Sequence, residues 1–117
     1  MVRILLADSE PHIRWLLQEE LEDEGYEVLV TSRGGEVVHL VDSFRPDVVV
    51  LEIRLDDMSG LETGRIVKGT RKKTRVVYYS HCRPPHDLSS WGGDDYVLKS
   101  PNLDRLKKVV HRLALAA

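Results

Sequence analysis

Five short runs of mostly β-branched, aliphatic or aromatic residues recur along the chain, at residues 2–7, 27–31, 47–51, 75–79 and 95–98. They are too apolar to be strands that keep one face in water. Strands buried on both faces are typical of parallel sheets, whose connecting helices cover them above and below. The runs therefore predict a parallel, buried five-stranded sheet.

Helical patterns separate these runs, with apolar residues three and four positions apart. Three such apolar faces stand out. The face before the second run is Ile13, Leu16, Leu17 and Leu21, and the face before the third run is Val37, Leu40, Val41 and Phe44. The face after the fifth run is Leu103, Leu106, Val110 and Leu113. We expect Ser100 to cap the last helix, with Pro101 in its first turn. A third helix over residues 61–69 contains Gly64, which weakens it. Alternating strands and helices with right-handed crossovers predict a doubly wound α/β sheet.

The segment 81–93 should hold a fourth helix, but its composition leaves little room for one. It contains Pro84, Pro85, Gly92 and Gly93. Two prolines and two glycines leave about two helical turns at most, so we expect a short or irregular helix.

Polar residues stand where the predicted strands end, and parallel strands bring such positions to one edge of the sheet. Asp8 follows the first run, Glu52 the third and Lys99 the fifth, while Ser80 closes the fourth. Ligands of doubly wound sheets bind in the crevice beyond the carboxyl ends of the strands. We therefore expect these four residues to converge on one crevice.

Size and charge limit the classes of protein that the chain can represent. With 117 residues, 42% of them hydrophobic, it is long enough for one compact domain over 1–117. A net charge of −2 argues against dedicated binding to nucleic acid or a membrane surface, and the basic stretch 71–75 reads as a solvated loop. Its apolar runs are far shorter than the roughly 20 residues of a membrane helix. With the lone Cys82, these features predict a cytoplasmic protein without a disulfide or a zinc site.

Four motifs in order resemble those of bacterial response regulator receiver domains. Residues 46–62 resemble the third strand and following loop, usually P-D-x-x-x-x-D-I-x-L-P-x-M-D-G, and residues 4–11 resemble the first strand ending in V-D-D-E-P. Ser80 stands at the switch Ser/Thr, and residues 93–99 resemble G-A-D-D-Y-x-x-K. The resemblance covers nearly the whole chain. It implies a flavodoxin-like (βα)5 fold with strand order 2-1-3-4-5 in three α/β/α layers.

The resemblance also implies roles for the crevice residues. Glu52 stands where the family has the aspartate that accepts a phosphoryl group from a histidine kinase, and Asp8 and Ser9 stand at its two acids. Ser80 and Tyr96 fall on the conformational switch, and Lys99 on the phosphate-pairing lysine. The receiver itself is not an enzyme in this interpretation.

Two departures weaken the chemistry of the family. Glu52 carries its carboxylate one methylene further than aspartate, and displacements of about 1 Å can cost about a hundredfold in rate. Ser9 replaces an acid with a neutral hydroxyl, whereas magnesium prefers carboxylate oxygens. We therefore expect Mg²⁺ binding to be absent or weak, and no other cofactor.

Further departures crowd the pocket. Arg54 lies two positions beyond the acceptor position, and His81 follows Ser80 where the family commonly has alanine or glycine. A guanidinium of Arg54 near Asp8 and Glu52 could fill the role of the metal as a fixed cation with several donors. The family has a cis-proline directly after its lysine, but in this chain Ser100 follows Lys99. A cis bond before serine would cost about 2.5 to 4 kcal/mol, so we expect this bond to be trans.

The leading hypothesis is a pseudo-receiver, a phosphorylation-independent protein-interaction module of bacterial signal transduction. In it Glu52 reaches Lys99 and Ser80 as a partial imitation of a phosphoryl group, and Tyr96 turns inward; a plain Glu52–Lys99 ion pair is the alternative. Other hypotheses are an unusual phosphoacceptor that uses Glu52, and the N-terminal receiver of a longer DNA-binding regulator.

The family's usual partner-binding face consists of the fourth helix, fifth strand and fifth helix. We expect a protein partner there, and a weak homodimer through apolar surface around Trp91, Val97 and the fifth helix. Neither a nucleic acid nor a membrane is expected to bind this domain.

Overall fold

Five parallel strands form one sheet in the order β2-β1-β3-β4-β5, where β1 is Arg3–Ala7, β2 Glu27–Thr31, β3 Val48–Leu51, β4 Arg75–Ser80 and β5 Asp95–Leu98. The structure is a computed structural model that describes residues 1–84 and 88–116. The strand order and three-layer α/β architecture confirm the fold predicted from the sequence.

Within residues 1–84 and 88–116, four α-helices connect and cover these strands: α1 (Pro11–Asp23), α2 (Gly34–Phe44), α3 (Gly60–Thr70) and α4 (Asp104–Ala116). The fourth helix, predicted to be short or irregular, is the 3-10 helix Leu88–Trp91. Pro85, part of that prediction, lies outside the described residues. The last helix is therefore α4 here.

The start of α4 differs from the sequence prediction, since the helix begins at Asp104 and not near Ser100. The Ser100 hydroxyl accepts a hydrogen bond from the Asn102 amide at 3.2 Å, and the Asn102 side chain accepts one from the Asp104 amide at 2.8 Å. Each polar side chain binds the backbone two residues ahead, which competes with helical hydrogen bonding. These turns delay the helix.

Two hydrophobic cores lie on opposite faces of the sheet. Alternate residues of β1 point to opposite sides, so Ile4 packs in the core under α1 and α4, and Leu5 in the core under α2 and α3. On α1, Leu17 and Leu21 enter the core, but Leu16 is 37% exposed, so its predicted place in the buried face was wrong. Among the described residues, none of the helices is long and apolar enough to cross a membrane.

Candidate functional site

The sheet itself places the crevice residues. Beyond the last residues of β1, β3 and β5, backbone hydrogen bonds run from the Asp8 amide to the Thr31 carbonyl at 3.0 Å, from Glu52 to Ala7 at 2.9 Å, and from Lys99 to Ser80 at 2.8 Å. The chain therefore remains in register where the functional side chains begin. Asp8, Glu52 and Ser80 are buried, and the Lys99 side chain is only 3% exposed.

The ammonium group of Lys99 lies at the centre of this crevice. Its Nζ is 2.8 Å from Asp8 Oδ2, 2.7 Å from Glu52 Oε2 and 3.6 Å from Glu10 Oε1. The remaining oxygens of the two nearer acids accept backbone hydrogen bonds, Asp8 Oδ1 from the Glu10 amide at 2.9 Å and Glu52 Oε1 from the Ile53 amide at 2.7 Å. All four oxygens of Asp8 and Glu52 thus have a protein partner.

Burial and ion pairing oppose each other in this cluster. Burial lowers the pKa of Lys99, but its contacts with Asp8 and Glu52 outweigh burial and raise the pKa to about 12. For Asp8, burial raises the pKa, and the contacts with Lys99 and the Glu10 amide offset this only in part. A charged lysine between two carboxylates therefore dominates the chemistry of the crevice at neutral pH.

A cavity of about 330 Å³ opens beside this cluster, lined by Ser9, Glu10, Glu52, Arg54, Ser80, His81 and Cys82. Ser9 is half-buried in its wall, while Arg54 and His81 are exposed and line it without filling it. Arg54 does not occupy the place expected for it, because Lys99 is the cation that bridges Asp8 and Glu52. A lysine on a strand end reaches these acids from inside the sheet.

The two switch residues, Ser80 and Tyr96, both bind the backbone of Cys82. The Ser80 hydroxyl accepts a hydrogen bond from the Cys82 amide at 3.3 Å, and the Tyr96 hydroxyl donates to the Cys82 carbonyl. Tyr96 is buried, which raises the pKa of its hydroxyl, with a smaller lowering by Ser80. Neither of these two hydrogen bonds involves Glu52, whose Oε1 accepts from the Ile53 amide and whose Oε2 lies beside Lys99.

Lys99 points into the crevice although no proline follows it directly. Residues 1–84 and 88–116 contain no cis peptide bond. The backbone hydrogen bond from Lys99 to Ser80 and the ion pairs of its side chain set its direction.

Sequence reasoning missed two residues that shape the site. Gly60 donates to the Ile53 carbonyl at 2.6 Å, and a Cβ placed on it would lie 2.9 Å from the Glu52 carbonyl carbon. Glu10 is a third carboxylate near Lys99. The glycine of the loop motif was a possible signal for the first, but nothing in the sequence marked the second as a neighbour of Lys99.

The expected partner face also differs in detail. Val97 is 2% exposed, and Trp91 is half-buried with its ring 6.0 Å from that of Tyr78, so these two side chains contribute little to the exposed apolar surface of this face. Leu98, which was not singled out, is 47% exposed. It lines a groove of about 740 Å³ between β5 and α4, together with Arg105 and other residues.

Comparison with known proteins gives one consistent result. The family described as "Response regulator receiver domain" matches residues 4–111. The transcriptional regulatory protein TrcR of Mycobacterium tuberculosis is 36% identical over 109 residues, which cover 90% of this chain and 42% of that protein. The regulatory protein AtoC of Escherichia coli is 29% identical over 113 residues, covering 94% of this chain and 24% of that protein.

Solved structures give the same likeness. The response regulator protein TrrA of Thermotoga maritima, in complex with Mg²⁺ and BeF, is 40% identical with a TM-score of 0.90, covering 97% of this chain and 99% of that one. A structure of histidine kinase ThkA in complex with TrrA matches at 39% identity and a TM-score of 0.88, with 97% and 98% coverage. The chain spans between about a quarter and just over half of the length of the first curated relatives.

Proposed function

The chain belongs to the response regulator receiver domain family, and we propose that it works in bacterial signal transduction as an atypical receiver that binds a protein partner without being phosphorylated. One observation supports this most directly. The Lys99 ammonium is within 2.8 Å of both Asp8 and Glu52, so the crevice neutralises its own acids.

Glu52 is poorly placed to act as a nucleophile. Phosphoryl transfer needs an oxygen that is free to attack in line with the leaving group. Both carboxylate oxygens of Glu52 have donors, Oε2 the Lys99 ammonium and Oε1 the Ile53 amide. Each oxygen keeps a second lone pair, but the Lys99 ammonium and the Ile53 amide stabilise the negative charge of the carboxylate and so weaken it as a nucleophile.

The donor set fits Mg²⁺ poorly for a similar reason. The carboxylate of Asp8 is engaged by Lys99 and by the Glu10 amide, and Ser9 contributes only a neutral hydroxyl. An ammonium already paired with Asp8 and Glu52 repels a second cation at the same carboxylates and lowers their affinity for it, and Ser9 supplies no charge to offset that repulsion. The ammonium replaces the metal as the positive charge of this crevice.

The negative charge of Glu52 beside Lys99 is the basis for the imitation of a phosphoryl group. Its oxygen stands at the ion-pairing distance of 2.7 Å from Lys99, and Tyr96 is buried. A plain ion pair with no influence on Tyr96 is the alternative. It is favoured by the hydrogen bonds of Ser80 and Tyr96, both of which go to Cys82.

Treatment with acetyl phosphate and Mg²⁺ tests the proposal. We expect the intact mass of the protein to remain unchanged, because Lys99 neutralises the Glu52 carboxylate and the residues around it suit Mg²⁺ poorly. The double variant Glu52→Asp with Ser9→Asp should gain a labile adduct of one phosphoryl group, read by intact-mass spectrometry.

The matched control is Glu62→Asp, an exposed position in the first turn of α3, which should stay unlabelled like the natural chain. Labelling of the natural protein that disappears in Glu52→Gln would instead establish Glu52 as an unusual phosphoacceptor and overturn the proposal.

Metal binding is a separate prediction. Calorimetric titration with MgCl₂ should show no site with a dissociation constant below about 1 mM, since Lys99 already neutralises Asp8 and Glu52. Saturable heat in the micromolar range, lost in Asp8→Asn, would contradict it.

The partner site in this proposal is the face formed by the 3-10 helix, β5 and α4. The exposed Leu98 and the groove of about 740 Å³ beside it give this face an apolar floor, and Arg105 and Lys108 add positive charge. A weak homodimer through the same face is part of the proposal.

Sedimentation tests the homodimer. We expect the natural protein to show a concentration-dependent monomer–dimer equilibrium, and Leu98→Arg to shift it to monomer because a charge would be buried at the contact. The control Leu115→Arg changes another exposed leucine, which is on α4 and does not line the groove. A monomer at every concentration would remove the homodimer and leave a different protein as the partner.

A second candidate role is the N-terminal receiver of a longer DNA-binding regulator. It is favoured by the relatives, such as the transcriptional regulatory protein KdpE of Mycobacterium tuberculosis, of which this chain covers 54% at 31% identity. DNA binding would then be a property of another domain. Both roles place the protein in the cytoplasm, and mass measurement of the protein from its native cells distinguishes them.

A further inference from the structure

Three side chains, Tyr78, Trp91 and Tyr96, form a cluster on the side of the sheet covered by α2 and α3, called here the aromatic cluster. The ring centroids are 6.0 Å apart for Tyr78 and Trp91, 5.5 Å for Trp91 and Tyr96, and 6.4 Å for Tyr78 and Tyr96. The two contacts of Trp91 are edge-to-face, a favourable arrangement of aromatic rings. The cluster joins β4 and β5 to the 3-10 helix.

Two glycines, Gly64 and Gly93, lie against the side chain of Tyr78 on two sides. A Cβ placed on Gly93 would lie 2.5 Å from Tyr78 Cε2, and one placed on Gly64 would overlap the Tyr78 hydroxyl oxygen. Both approaches are possible only because glycine stands at these positions. The ring therefore fills a slot between α3 and the segment before β5, and its position does not depend on the crevice.

The hydroxyl of Tyr78 fastens the 3-10 helix. It donates a hydrogen bond of 2.7 Å to the Trp91 carbonyl, and Arg65 on α3 donates one of 3.1 Å to the Ser90 carbonyl. Burial raises the pKa of Tyr78 to about 12, so the hydroxyl keeps its proton and remains a donor at neutral pH. One turn of 3-10 helix is thus held by long-range contacts where the sequence lacks room for a longer helix.

Tyr96 depends on the same cluster. Its ring contacts Trp91 and Tyr78, and its hydroxyl donates to the Cys82 carbonyl. The Tyr96 hydroxyl also interacts with the Ser80 side chain at the edge of the crevice. The ring contacts with Tyr78 and Trp91 lie outside the ion pairs of Lys99, so they are an additional source of stability for the inward position of Tyr96.

We propose that Tyr78 and Trp91 are positioning residues that hold Tyr96 and the 3-10 helix in place whatever the charge state of Glu52. This inference rests on the proposed function and deepens it, because a partner face held by an aromatic cluster is preformed and needs no signal from the crevice. It also identifies Tyr78 and Trp91, and not Glu52, as the residues that set the conformation of that face.

The test uses Tyr78→Phe, which removes the hydroxyl but keeps the ring in its slot. Losing one buried hydrogen bond should raise the local opening of the cluster about fivefold, measured as the hydrogen-exchange rates of the backbone amides at 94–97. Glu52→Gln should change these rates less than twofold. A Trp15→Phe background leaves Trp91 as the only tryptophan, since Trp15 is 64% exposed and outside the cluster, and its fluorescence quenching by acrylamide should rise only in Tyr78→Phe.

Tyr79→Phe is the matched control. Tyr79 is a buried neighbour on the other face of the sheet, and its hydroxyl donates to the Ser100 carbonyl at 3.4 Å. The control therefore also removes a hydrogen-bonded tyrosine hydroxyl, but one outside the aromatic cluster. It should leave exchange at 94–97 and the quenching of Trp91 unchanged. The inference is overturned if Glu52→Gln opens the cluster as much as Tyr78→Phe does, or if Tyr78→Phe behaves like Tyr79→Phe. Neither result bears on phosphorylation, which the mass measurement decides independently.

Discussion

Replacing Lys99 with methionine is expected to lower the free energy of unfolding by about 3 kcal/mol at neutral pH. Methionine keeps a similar length but removes the charge that lies within 2.8 Å of Asp8 and Glu52. Removing one partner of a buried ion pair leaves the other charges without compensation, which costs more than the pair itself contributes. Urea unfolding of the natural protein and Lys99→Met at pH 7 measures the difference.

The pH dependence of this variant has a definite sign. The pKa of Asp8 is already raised by burial, and removing Lys99 takes away contacts that lower it, so it should rise further. A carboxyl group with a raised pKa costs stability when it is ionised, and the cost is relieved as the pH falls through that pKa. The deficit of Lys99→Met should therefore shrink on acidification.

In the natural protein, Lys99 should control stability at high pH. Its pKa of about 12 in the folded state lies above the ordinary value of 10.5, so its stabilising contribution is complete below pH 10.5 and is lost as the pH rises through about 12. The stability of Lys99→Met should therefore fall less steeply than that of the natural protein as the pH rises towards 12.

Lys107→Met is the control for removing a lysine charge. Lys107 pairs with Glu20 at 3.1 Å in a more exposed setting, so its loss should be much smaller. The triple variant Lys99→Met with Asp8→Asn and Glu52→Gln should regain part of the stability, because no uncompensated charge remains. If Lys99→Met unfolds no more readily than Lys107→Met, the ammonium does not stabilise the crevice and its assignment fails.

Gly60→Ala is expected to lower the free energy of unfolding by about 2 to 3 kcal/mol. A Cβ at this position would overlap the Glu52 carbonyl oxygen and lie 3.1 Å from the Ile53 Cα, and all these atoms are backbone. They cannot move away as a flexible side chain would. The loop after β3 would have to shift, breaking the 2.6 Å hydrogen bond from Gly60 to Ile53.

Gly69→Ala on the same helix is the matched control. A Cβ there would meet no atom within 4 Å, and alanine is favoured over glycine in a helix by about 0.5 to 1 kcal/mol. The two substitutions should therefore change the midpoint of urea unfolding in opposite directions. Equal changes in the midpoint would mean that the close approach of Gly60 to Glu52 does not affect the free energy of unfolding.

The strands of this protein were easier to predict from the sequence than the buried faces of its helices. The strands were predictable because each is a run of apolar residues buried on both faces, a property that the amino acids carry wherever the run lies. Which helical residues are buried was harder to predict. Leu16 had the spacing of a core residue but is 37% exposed, whereas Leu17 and Leu21 on the same helix are buried.

Local hydrogen bonds account for the wrong start of α4. A serine followed by proline is a good helix start, but the Ser100 and Asn102 side chains bind backbone amides two residues ahead and form turns instead. Two local structures were compatible with the same residues. The contacts of the folded chain decided between them.

The sequence by itself determined the fold, the strand order through its motifs, and which residues stand at the carboxyl ends of the strands. Parallel pairing then brings Asp8, Glu52, Ser80 and Lys99 to one edge without further information. Only the tertiary structure decided that Lys99, and not Arg54, is the cation between the two acids, and that Tyr78 holds the 3-10 helix. The reason is physical: strand and helix patterns depend on spacing along the chain, whereas the choice of an ion-pair or hydrogen-bond partner depends on distances of a few tenths of an ångström between residues far apart in sequence.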